Sequence, residues 1–323
     1  MQVSVIIIGR NEGERLIRCI TSVKDMDFDP EQYEIIYVDS GSTDASVDQA
    51  QKLGARVIEL DTDKPTAAKG RNAGCGAAQA PLLFFLDGDT IVEPSFLSQA
   101  AAFLEEHDDV AAVSGFRKEI HPEASIYNRI LDLEWLHHPG YSQYCGGDTV
   151  MRKEALEQAG GYKEDLIAGE EPELCHRIRS NGWKIYTIEA MMTGHDLNIS
   201  KFAGYWKRCY RAGHAYAEVA KLTAGETFGR ESKHNWVQSL VYMGAAIALL
   251  ALLKLWALIP IALGYAVLVA RNITKNRWRK LPFGTLLLYG MHAHLVWMPV
   301  MCGQIQYHLN RMRNRGGKII EYK

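Results

Sequence analysis

Apolar and polar residues alternate in blocks along the first ninety residues of the chain. Four short runs of β-branched or apolar residues predict buried strands, at 3–8, 34–38, 56–60 and 82–86. Helical patterns fill the intervals at about 12–24, 43–53 and 66–79. Strands that are apolar along their whole length and alternate with helices indicate a mostly parallel sheet covered on both faces. The predicted fold class of this part is therefore α/β.

The last third of the chain has a different pattern. Residues 237–270 contain one charged residue, Lys254, and a second apolar stretch runs from 281 to about 307. Both exceed the roughly 20 residues that a helix needs to cross a bilayer. Basic clusters follow each stretch, at Arg271, Lys275, Arg277, Arg279 and Lys280, and at Arg311, Arg313, Arg315 and Lys318. Basic loops beside apolar stretches predict a membrane region with those loops on the cytoplasmic side; a hydrophobic hairpin buried in a large domain is the alternative.

The positions of the basic loops also predict a topology. If the N-terminal part and the loop at 271–280 are both cytoplasmic, residues 237–270 form two short helices that turn near Lys254. The stretch 281–307 is a poor simple span, because it contains Pro282, Pro299, His292 and His294. We therefore expect a re-entrant or interfacial helix pair there.

Residues 199–222 mix cations with aromatic residues. One predicted helix face, at spacing i, i+3, i+4 and i+7, carries Phe202, Tyr205, Trp206 and Cys209. Such a face is typical of a helix in the headgroup layer of a membrane, although an ordinary surface helix has the same spacing. For Arg208 and Arg211, phosphate contact and a solvated face remain open. The expected organisation is a catalytic domain over 1–198, an interfacial helix and linker over 199–235, and a helical membrane region over 236–323.

Charge and cysteine content narrow the class of protein. The chain has 323 residues and a net charge of -2, which argues against a nucleic-acid partner. From Trp236 onward, however, 11 of the 36 basic and one of the 38 acidic residues occur, so this region carries about +10 and the rest about -12. The six cysteines include no CxxC pair, and residues 3–8 lack the basic flank and cleavage site of a secretory signal. We expect the N-terminal part to stay in the cytoplasm.

Polar residues follow three of the four predicted strands. Residues 9–12 read GRNE, residues 39–44 read DSGSTD, and residues 87–89 read DGD. Because ligands of parallel sheets bind at the carboxyl ends of the strands, these turns predict one binding site. Asp39 can accept a hydrogen bond from a nucleobase, and Asp87 and Asp89 can hold a hard cation against a diphosphate. A dinucleotide site is not favoured, since the chain contains no GxGxxG.

The order of these motifs resembles glycosyltransferase family 2, whose members are inverting enzymes of the GT-A fold. The resemblance covers about residues 2–215 and rests on five stretches: VSVIIIGRNEGERLIRCITSV, IIYVDSGSTDAS, AKGRNAGCGAAQAPLLFFLDGDT, GGDTVMRKEALEQAGGY and GEEPELCHRIRSNGWKI. It implies a GT-A fold for the α/β part, followed by the C-terminal helical region.

The resemblance also implies roles for individual residues. The entry loop for the nucleotide matches Ile8, Gly9, Arg10, Asn11 and Glu12, and the base contact, usually to uracil, matches Asp39 with Ser40 beside it. The metal-binding DxD pair matches Asp87 and Asp89, which implies Mg²⁺ or Mn²⁺ as cofactor, and Asp87 and Gly88 are also expected to contact the nucleotide sugar. Further contacts to the donor are expected from Lys69, Arg71 and Asn72, and a further metal contact from His195.

The general base matches the second acid of the family's ED motif, which is Glu171 here, with Glu170 in the first position. This departs from the family pattern, because Glu170 is one methylene longer than the usual Asp. Inversion requires a base that deprotonates the acceptor opposite the leaving diphosphate. The acid pair also has a structural interpretation, since acids and a following Pro172 are favoured at a helix N-terminus.

The expected function is transfer of a single sugar from a nucleotide-diphosphate sugar, with UDP the expected nucleotide. The acceptor is expected to be lipid-linked or a saccharide, at the cytoplasmic face of a membrane whose lipids bind the C-terminal region. A polyprenyl-phosphate sugar synthase is the nearest alternative, and a non-catalytic scaffold that binds sugar nucleotides is a more distant one. A processive synthase is disfavoured, because the chain lacks the QxxRW motif.

Overall fold

The computed structural model describes residues 1–135 and 138–313. The chain divides into two compact units. The first comprises residues 1–121 and 135–197, and the second comprises residues 122–134 and those from Asn198 onward. The predicted basic positions Arg315 and Lys318 lie outside the described residues.

One sheet forms the centre of the first unit. Its described strands are β1 (Val3–Gly9), β2 (Tyr33–Asp39), β3 (Arg56–Glu59), β4 (Leu82–Asp87), β5 (Thr90–Val92), β6 (Val110–Glu119), β7 (Gly140–Ser142), β8 (Thr149–Arg152) and β9 (Lys184–His195). The strand order is β3-β2-β1-β4-β8-β6-β9-β5, and β7 pairs with β9. All four strands predicted from the sequence are present, within about two residues of the expected ends.

Along the sequence, α-helices alternate with these strands up to residue 198. They are α1 (Glu14–Lys24), α2 (Ser46–Lys52), α3 (Ala67–Ala77), α4 (Phe96–Glu106), α5 (Ile126–Asp132), α6 (Lys153–Gln158) and α7 (Glu170–Ser180), of which α5 belongs to the second unit. Alternate residues of β1 pack into two apolar layers, with Val5 and Ile7 on one side of the sheet and Ile6 on the other. Burial on both faces explains why β1 is apolar along its length.

The sheet is mixed: most of its paired residues lie in parallel pairings, which include β6 with β9, and shorter antiparallel strands are inserted among them. Strands β3, β2, β1 and β4 run parallel, as expected. Strand β8 is antiparallel to both β4 and β6, and β5 and β7 are antiparallel to β9. An apolar strand indicates burial on both faces but carries no information about direction. The sequence pattern therefore predicted the first half of the sheet correctly and could not predict the inserted antiparallel strands.

The second unit is helical. Besides α5 it contains α8 (Phe202–Leu222), α9 (Gly229–Leu253), α10 (Leu258–Asn276), α11 (Phe283–Ala293) and α12 (Trp297–Met312). The helix is interrupted between α9 and α10 at Lys254–Ala257, and Lys254 has a φ of 49°. The interruption lies where the charge pattern predicted a turn; that the two helices run back antiparallel through a membrane stays a prediction. The stretch 281–307 contains the whole of α11 and most of α12, so the expected pair of helices is present. In the described residues, two segments are long and apolar enough to cross a membrane: Gly229–Arg279 and Phe283–Met312.

Helix α8 packs closely against α12 at two glycines. A Cβ atom on Gly213 would lie 2.0 Å from the carbonyl oxygen of Val300, and one on Gly303 would lie 2.0 Å from that of Tyr210. The helix predicted over 199–222 is present, but its aromatic face is only partly open. Phe202 is 57% exposed, whereas Tyr205 is buried and its hydroxyl lies 2.7 Å from Nδ1 of His292. That α8 lies in a headgroup layer stays a prediction.

Candidate active site

The register of the parallel strands brings the three polar turns together. Gly9 at the end of β1 pairs with Asp39 at the end of β2, and Ile8 pairs with Asp87 at the end of β4. The turns are also joined directly, because the backbone N–H of Ser40 donates to Gly9 (2.9 Å) and that of Gly88 donates to Ile8 (2.8 Å). The expected convergence at one sheet edge is therefore present.

The first turn is held to the second by Asn11. This residue adopts a positive φ of 55°, which Asn tolerates better than most residues. Its side-chain oxygen accepts from the backbone N–H of Thr43 (2.7 Å), and its own N–H donates to the hydroxyl of Ser42 (2.8 Å). Arg10 is exposed beside it, and Glu12 pairs with Arg15 at 2.8 Å.

Asp39 is buried and organises the turn that follows β2. Its carboxylate accepts hydrogen bonds from the hydroxyl of Tyr37 (2.8 Å), from the backbone N–H groups of Gly41 (2.9 Å) and Ser42 (2.7 Å), and from the Ser42 hydroxyl (2.5 Å). A carboxylate has about four acceptor positions, so the turn uses its whole capacity. The predicted contact between Asp39 and a nucleobase stays a prediction.

Asp87, Asp89 and His195 form a cluster of potential metal ligands. One ligand atom from each lies within 4.8 Å of the others. The antiparallel pairing of β5 with β9 explains the arrangement, because it sets Thr90, the residue after Asp89, opposite His195. Nε2 of His195 lies 3.3 Å from Oδ1 of Asp89, and both side chains are buried. Two carboxylates and one imidazole suit Mn²⁺ or Mg²⁺, so the donor set fits the expected cofactor.

Arg71 connects this cluster to the acid pair of α7. Its guanidinium is buried, and its terminal nitrogens lie 3.0 Å from Oδ1 of Asp87, 3.0 Å from Oε1 of Glu170 and 3.1 Å from Oε1 of Glu171. Arg71 comes from α3, whose first turn is capped by Thr66. One cation thus contacts three carboxylates, and the site is anionic.

The two acids differ in their surroundings. The Glu170 side chain is 6% exposed and that of Glu171 is 16% exposed, so Glu171 is the more open of the two. Burial and the adjacent Glu170 raise the pKa of Glu171 to about 7, against the opposing effect of Arg71. Helix α7 starts after Gly169 at a φ of 83°, and its first turn contains both acids. The helix dipole stabilises both acids at this position, and this structural role is compatible with a role of the same acids in the chemistry.

Comparisons with known proteins agree with this geometry. Residues 4–158 match the model of glycosyl transferase family 2. The chain contains a family 2 glycosyltransferase domain. A solved mannosyltransferase from Pyrobaculum calidifontis, in complex with GDP-Man and Mn²⁺, is similar over 96% of this chain and 88% of its own, with 17% identity and a TM-score of 0.62. The fold is accordingly GT-A.

Two curated relatives are similar in sequence. The poly(ribitol-phosphate) β-N-acetylglucosaminyltransferase TarS of Staphylococcus aureus is 28% identical over 66% of this chain, which spans 36% of TarS. The succinoglycan biosynthesis protein ExoU of Rhizobium meliloti is 27% identical over 69% of this chain and 71% of its own length. The chain thus spans about a third of the first relative and most of the second.

Two predicted donor-binding residues of the family 2 domain make other contacts. The ammonium group of Lys69 donates to the hydroxyl of Thr62 (2.9 Å) and to the carbonyl oxygen of Lys64 (2.9 Å). The Asn72 amide is hydrogen-bonded to the backbone of Tyr162 through both its oxygen (2.8 Å) and its nitrogen (2.9 Å). Within the described structure these two side chains hold loops in place, whereas Arg71 lies between the acids.

The sequence patterns missed three residues of the family 2 domain near the metal-ligand cluster. Asp148 accepts a hydrogen bond from the backbone N–H of Asp87 (3.1 Å). Trp135 packs against His195, with 5.2 Å between ring centroids, and Arg117 lies 5.1 Å from the Trp135 ring centroid. Only Asp148 had a usable signal, because it follows two glycines in GGD directly before a strand.

Proposed function

We propose that the chain is an inverting glycosyltransferase that transfers one sugar from a nucleoside-diphosphate sugar, with UDP the expected nucleotide. The observation that carries the proposal is the arrangement around Arg71. A single buried guanidinium contacts both Asp87, a potential metal ligand, and Glu171, a carboxyl with a pKa of about 7. The Arg71 side chain therefore joins the candidate metal site at Asp87 to the candidate base, Glu171.

The charge of the site supports dependence on a divalent cation. Asp87, Glu170 and Glu171 contact one arginine, and Asp89 lies beside Asp87, so the site repels a diphosphate unless a further cation is present. Asp87, Asp89 and His195 would hold Mg²⁺ or Mn²⁺. The bound cation would stabilise negative charge on the leaving diphosphate as a Lewis acid.

Glu171 is proposed as the general base. Its carboxylate accepts the proton of the acceptor hydroxyl as that oxygen attacks the anomeric carbon. Arg71 holds the carboxylate in place, while burial and the adjacent Glu170 raise its pKa into the range that suits a base. No protein nucleophile is needed, because inversion takes a single displacement.

The test is a panel of UDP-linked and GDP-linked sugars, read by nucleotide release and by sugar transfer. We expect nucleotide release with one of the two donor classes. EDTA should abolish this release, and adding Mn²⁺ or Mg²⁺ should restore it. Asp89→Ala should remove turnover while Glu93→Ala, a loop acid in the same segment, should not. Full activity in EDTA would contradict metal dependence, and no release with any donor would contradict the function itself.

The acceptor is proposed to be lipid-linked or a saccharide, reached at the cytoplasmic face of a membrane. The surface of the α9–α10 hairpin supports this, because it exposes large apolar side chains, including Leu252 at 79%, Leu255 at 80% and Trp256 at 75%. At 1.5 Å per residue, the apolar parts of α9 and α10, residues 237–253 and 258–270, are about 20–26 Å long, enough to enter the roughly 30 Å hydrocarbon core but short for crossing it fully. Basic residues at 271–280 follow the hairpin and complement an anionic leaflet.

In this proposal the hairpin enters the bilayer and returns to the cytoplasmic side. Trp256→Cys and Lys280→Cys, each in a Cys302→Ser background whose five remaining native cysteines are buried, would be treated with a membrane-impermeant thiol reagent in sealed vesicles. We expect labelling at position 280 from the cytoplasmic side and none at position 256 from that side. Labelling of position 280 from the opposite side alone would contradict the proposed topology.

A further inference from the structure

Asp148 is a fully buried carboxylate directly behind the metal-ligand cluster. Its Oδ1 accepts the backbone N–H of Asp87 at 3.1 Å. Its Oδ2 accepts the hydroxyl of Thr193 at 2.7 Å and lies 3.3 Å from Nε of Arg117. Burying a carboxylate costs free energy unless hydrogen bonds and a counter-charge offset it. Asp148 has both.

The partners of Asp148 come from three strands that end at the cluster. Asp87 is the last residue of β4, and Arg117 lies on β6. Thr193 lies on β9 two residues before His195, so the two side chains share a face of that strand. Asp148 thereby links the strand that carries Asp87 to the strand that carries His195, and these strands are not neighbours in the sheet.

The two preceding glycines allow Asp148 to reach this position. A Cβ atom on Gly147 would lie 2.5 Å from Nη2 of Arg71 and 3.1 Å from Oδ2 of Asp87. A Cβ atom on Gly146 would lie 3.1 Å from Nη1 of Arg117. The backbone therefore passes between two arginines, where a side chain does not fit, and the following residue turns in behind Asp87.

We propose that Asp148 is a positioning residue for the divalent cation: it fixes the backbone of Asp87 relative to His195 so that the two ligands remain at binding distance from one ion. The inference rests on the cation site of the proposed function. Partners that orient metal ligands from behind usually contribute 10–100-fold to metal affinity or activity. Asp148 itself has no exposed surface and does not reach substrate.

The experiment measures Mn²⁺ binding to the full chain directly, by electron paramagnetic resonance without substrate, alongside thermal unfolding. Asp148→Asn keeps the shape and one acceptor oxygen but places an amide against Thr193 and Arg117. We expect it to weaken Mn²⁺ binding about 10–100-fold. Thr193→Val removes one donor to Asp148 and should weaken binding less, in the same direction.

Thr187→Val is the matched control. Thr187 lies on the same strand, is also buried, and bonds to the hydroxyl of Ser114 at 3.1 Å, away from Asp148. We expect its Mn²⁺ affinity to equal that of the wild type, even if its unfolding temperature falls as much as that of Thr193→Val. A purely structural role for Asp148 would lower the unfolding temperature and leave Mn²⁺ affinity unchanged.

Each outcome decides the matter. Wild-type Mn²⁺ affinity in folded Asp148→Asn overturns the inference; if that variant does not fold, wild-type affinity in Thr193→Val overturns it. A wild-type protein that binds no Mn²⁺ also overturns it, since no ion is then positioned. Failure of the proposed function is a separate result, because a protein that releases no nucleotide from any donor can still show the difference in Mn²⁺ affinity.

Discussion

Arg71 determines the charge balance at the candidate active site. It is buried, and it contacts Asp87, Glu170 and Glu171 at 3.0–3.1 Å. The three carboxylates together carry more charge than one guanidinium neutralises, and this excess contributes to the raised pKa of Glu171. The residue thus holds a candidate base and a candidate metal ligand in fixed positions while leaving the site able to attract a cation.

Changing Arg71 should therefore affect folding as well as activity. Arg71→Gln leaves three neighbouring acids without their common counter-charge, and one of them, Glu170, is buried. Breaking a buried ion pair such as Arg71–Glu170 typically costs about 3–5 kcal/mol. We expect a large fall in unfolding temperature, measured by calorimetry. Lys69→Gln is the control on the same helix, because Lys69 bonds to the 62–64 loop. Equal stability of the two variants would contradict the assigned role of Arg71.

The pKa of Glu171 predicts the pH dependence of transfer. Since the base must be ionised, kcat/KM should fall about tenfold per pH unit below pH 7 and level off above it. Glu171→Gln should keep donor binding, lose transfer by about 10²–10⁴-fold and lack this dependence. If Glu170→Gln is the inactive variant and Glu171→Gln retains activity, the two roles are reversed.

Stability should change with pH in the opposite sense. A carboxyl whose pKa is raised from its usual 4.5 to about 7 contributes full stability below pH 4.5, and this stability is lost as pH rises to 7. Glu171→Gln removes that loss, because it stays neutral. Relative to the wild type, its unfolding temperature should be higher at pH 8 than at pH 5. An identical difference at both pH values would show that Glu171 titrates near its ordinary value.

At the scale of elements, contact between α8 and α12 defines the core of the helical unit. Gly213 and Gly303 allow the two backbones to approach so closely that a Cβ on either would lie 2.0 Å from a carbonyl oxygen. A contact this close also explains why α12 is not a free apolar span. Its Gln304 is buried and donates to Ser232 at 3.1 Å.

Enlarging either glycine should separate these helices. Gly213→Ala or Gly303→Ala places a methyl group against a backbone carbonyl, and forced overpacking of this kind costs about 1–3 kcal/mol. We expect a lower unfolding temperature in detergent and faster proteolysis between α8 and α9. Gly244→Ala on α9 is the control, because nothing lies within 4 Å of its Cβ position. Unchanged stability in both variants would show that the helices do not pack as described.

At the scale of the whole molecule, two units with different surfaces share one chain. The first contains the sheet and the candidate active site, and the second exposes the apolar hairpin of α9 and α10. The chain passes into the second unit for residues 122–134 and returns at Trp135. Deleting residues from 236 onward would therefore remove packing partners of α8 and leave 122–134 without helices that it contacts, such as α11. Point substitutions on the hairpin are the cleaner test of membrane binding.

Full-length protein should bind anionic vesicles and resist extraction by high salt, because apolar burial is not screened as surface charge is. Leu255→Asp with Trp256→Asp should release it into the salt wash, measured by sedimentation with vesicles of phosphatidylcholine and phosphatidylglycerol. Both residues are exposed, so the change removes no core packing. Tyr141→Asp, an exposed aromatic residue of the first unit, is the control. Complete release of the unaltered protein by salt would limit the hairpin to surface attachment.

The sequence by itself determined the first four strands, the motif turns and the two apolar helical segments. These features depend on local patterns: buried parallel strands are apolar throughout, the carboxyl ends of such strands share an edge, and a single lysine between two apolar stretches favours a turn. The positions of Asp39, Asp87 and Asp89 followed from those patterns, since Asp39 and Asp87 each end a strand and Asp89 comes two residues after Asp87.

Tertiary structure decided which of the polar residues act together. Arg71 and Asn72 are adjacent in α3, yet one lies among the acids and the other holds the backbone at Tyr162, because successive residues of a helix point in different directions. Asp148 reaches Asp87 because it directly precedes β8, the strand inserted antiparallel beside β4, and no local pattern specifies which strand is inserted there. Contacts between residues distant in sequence depend on how the elements pack, and packing is a property of the whole fold.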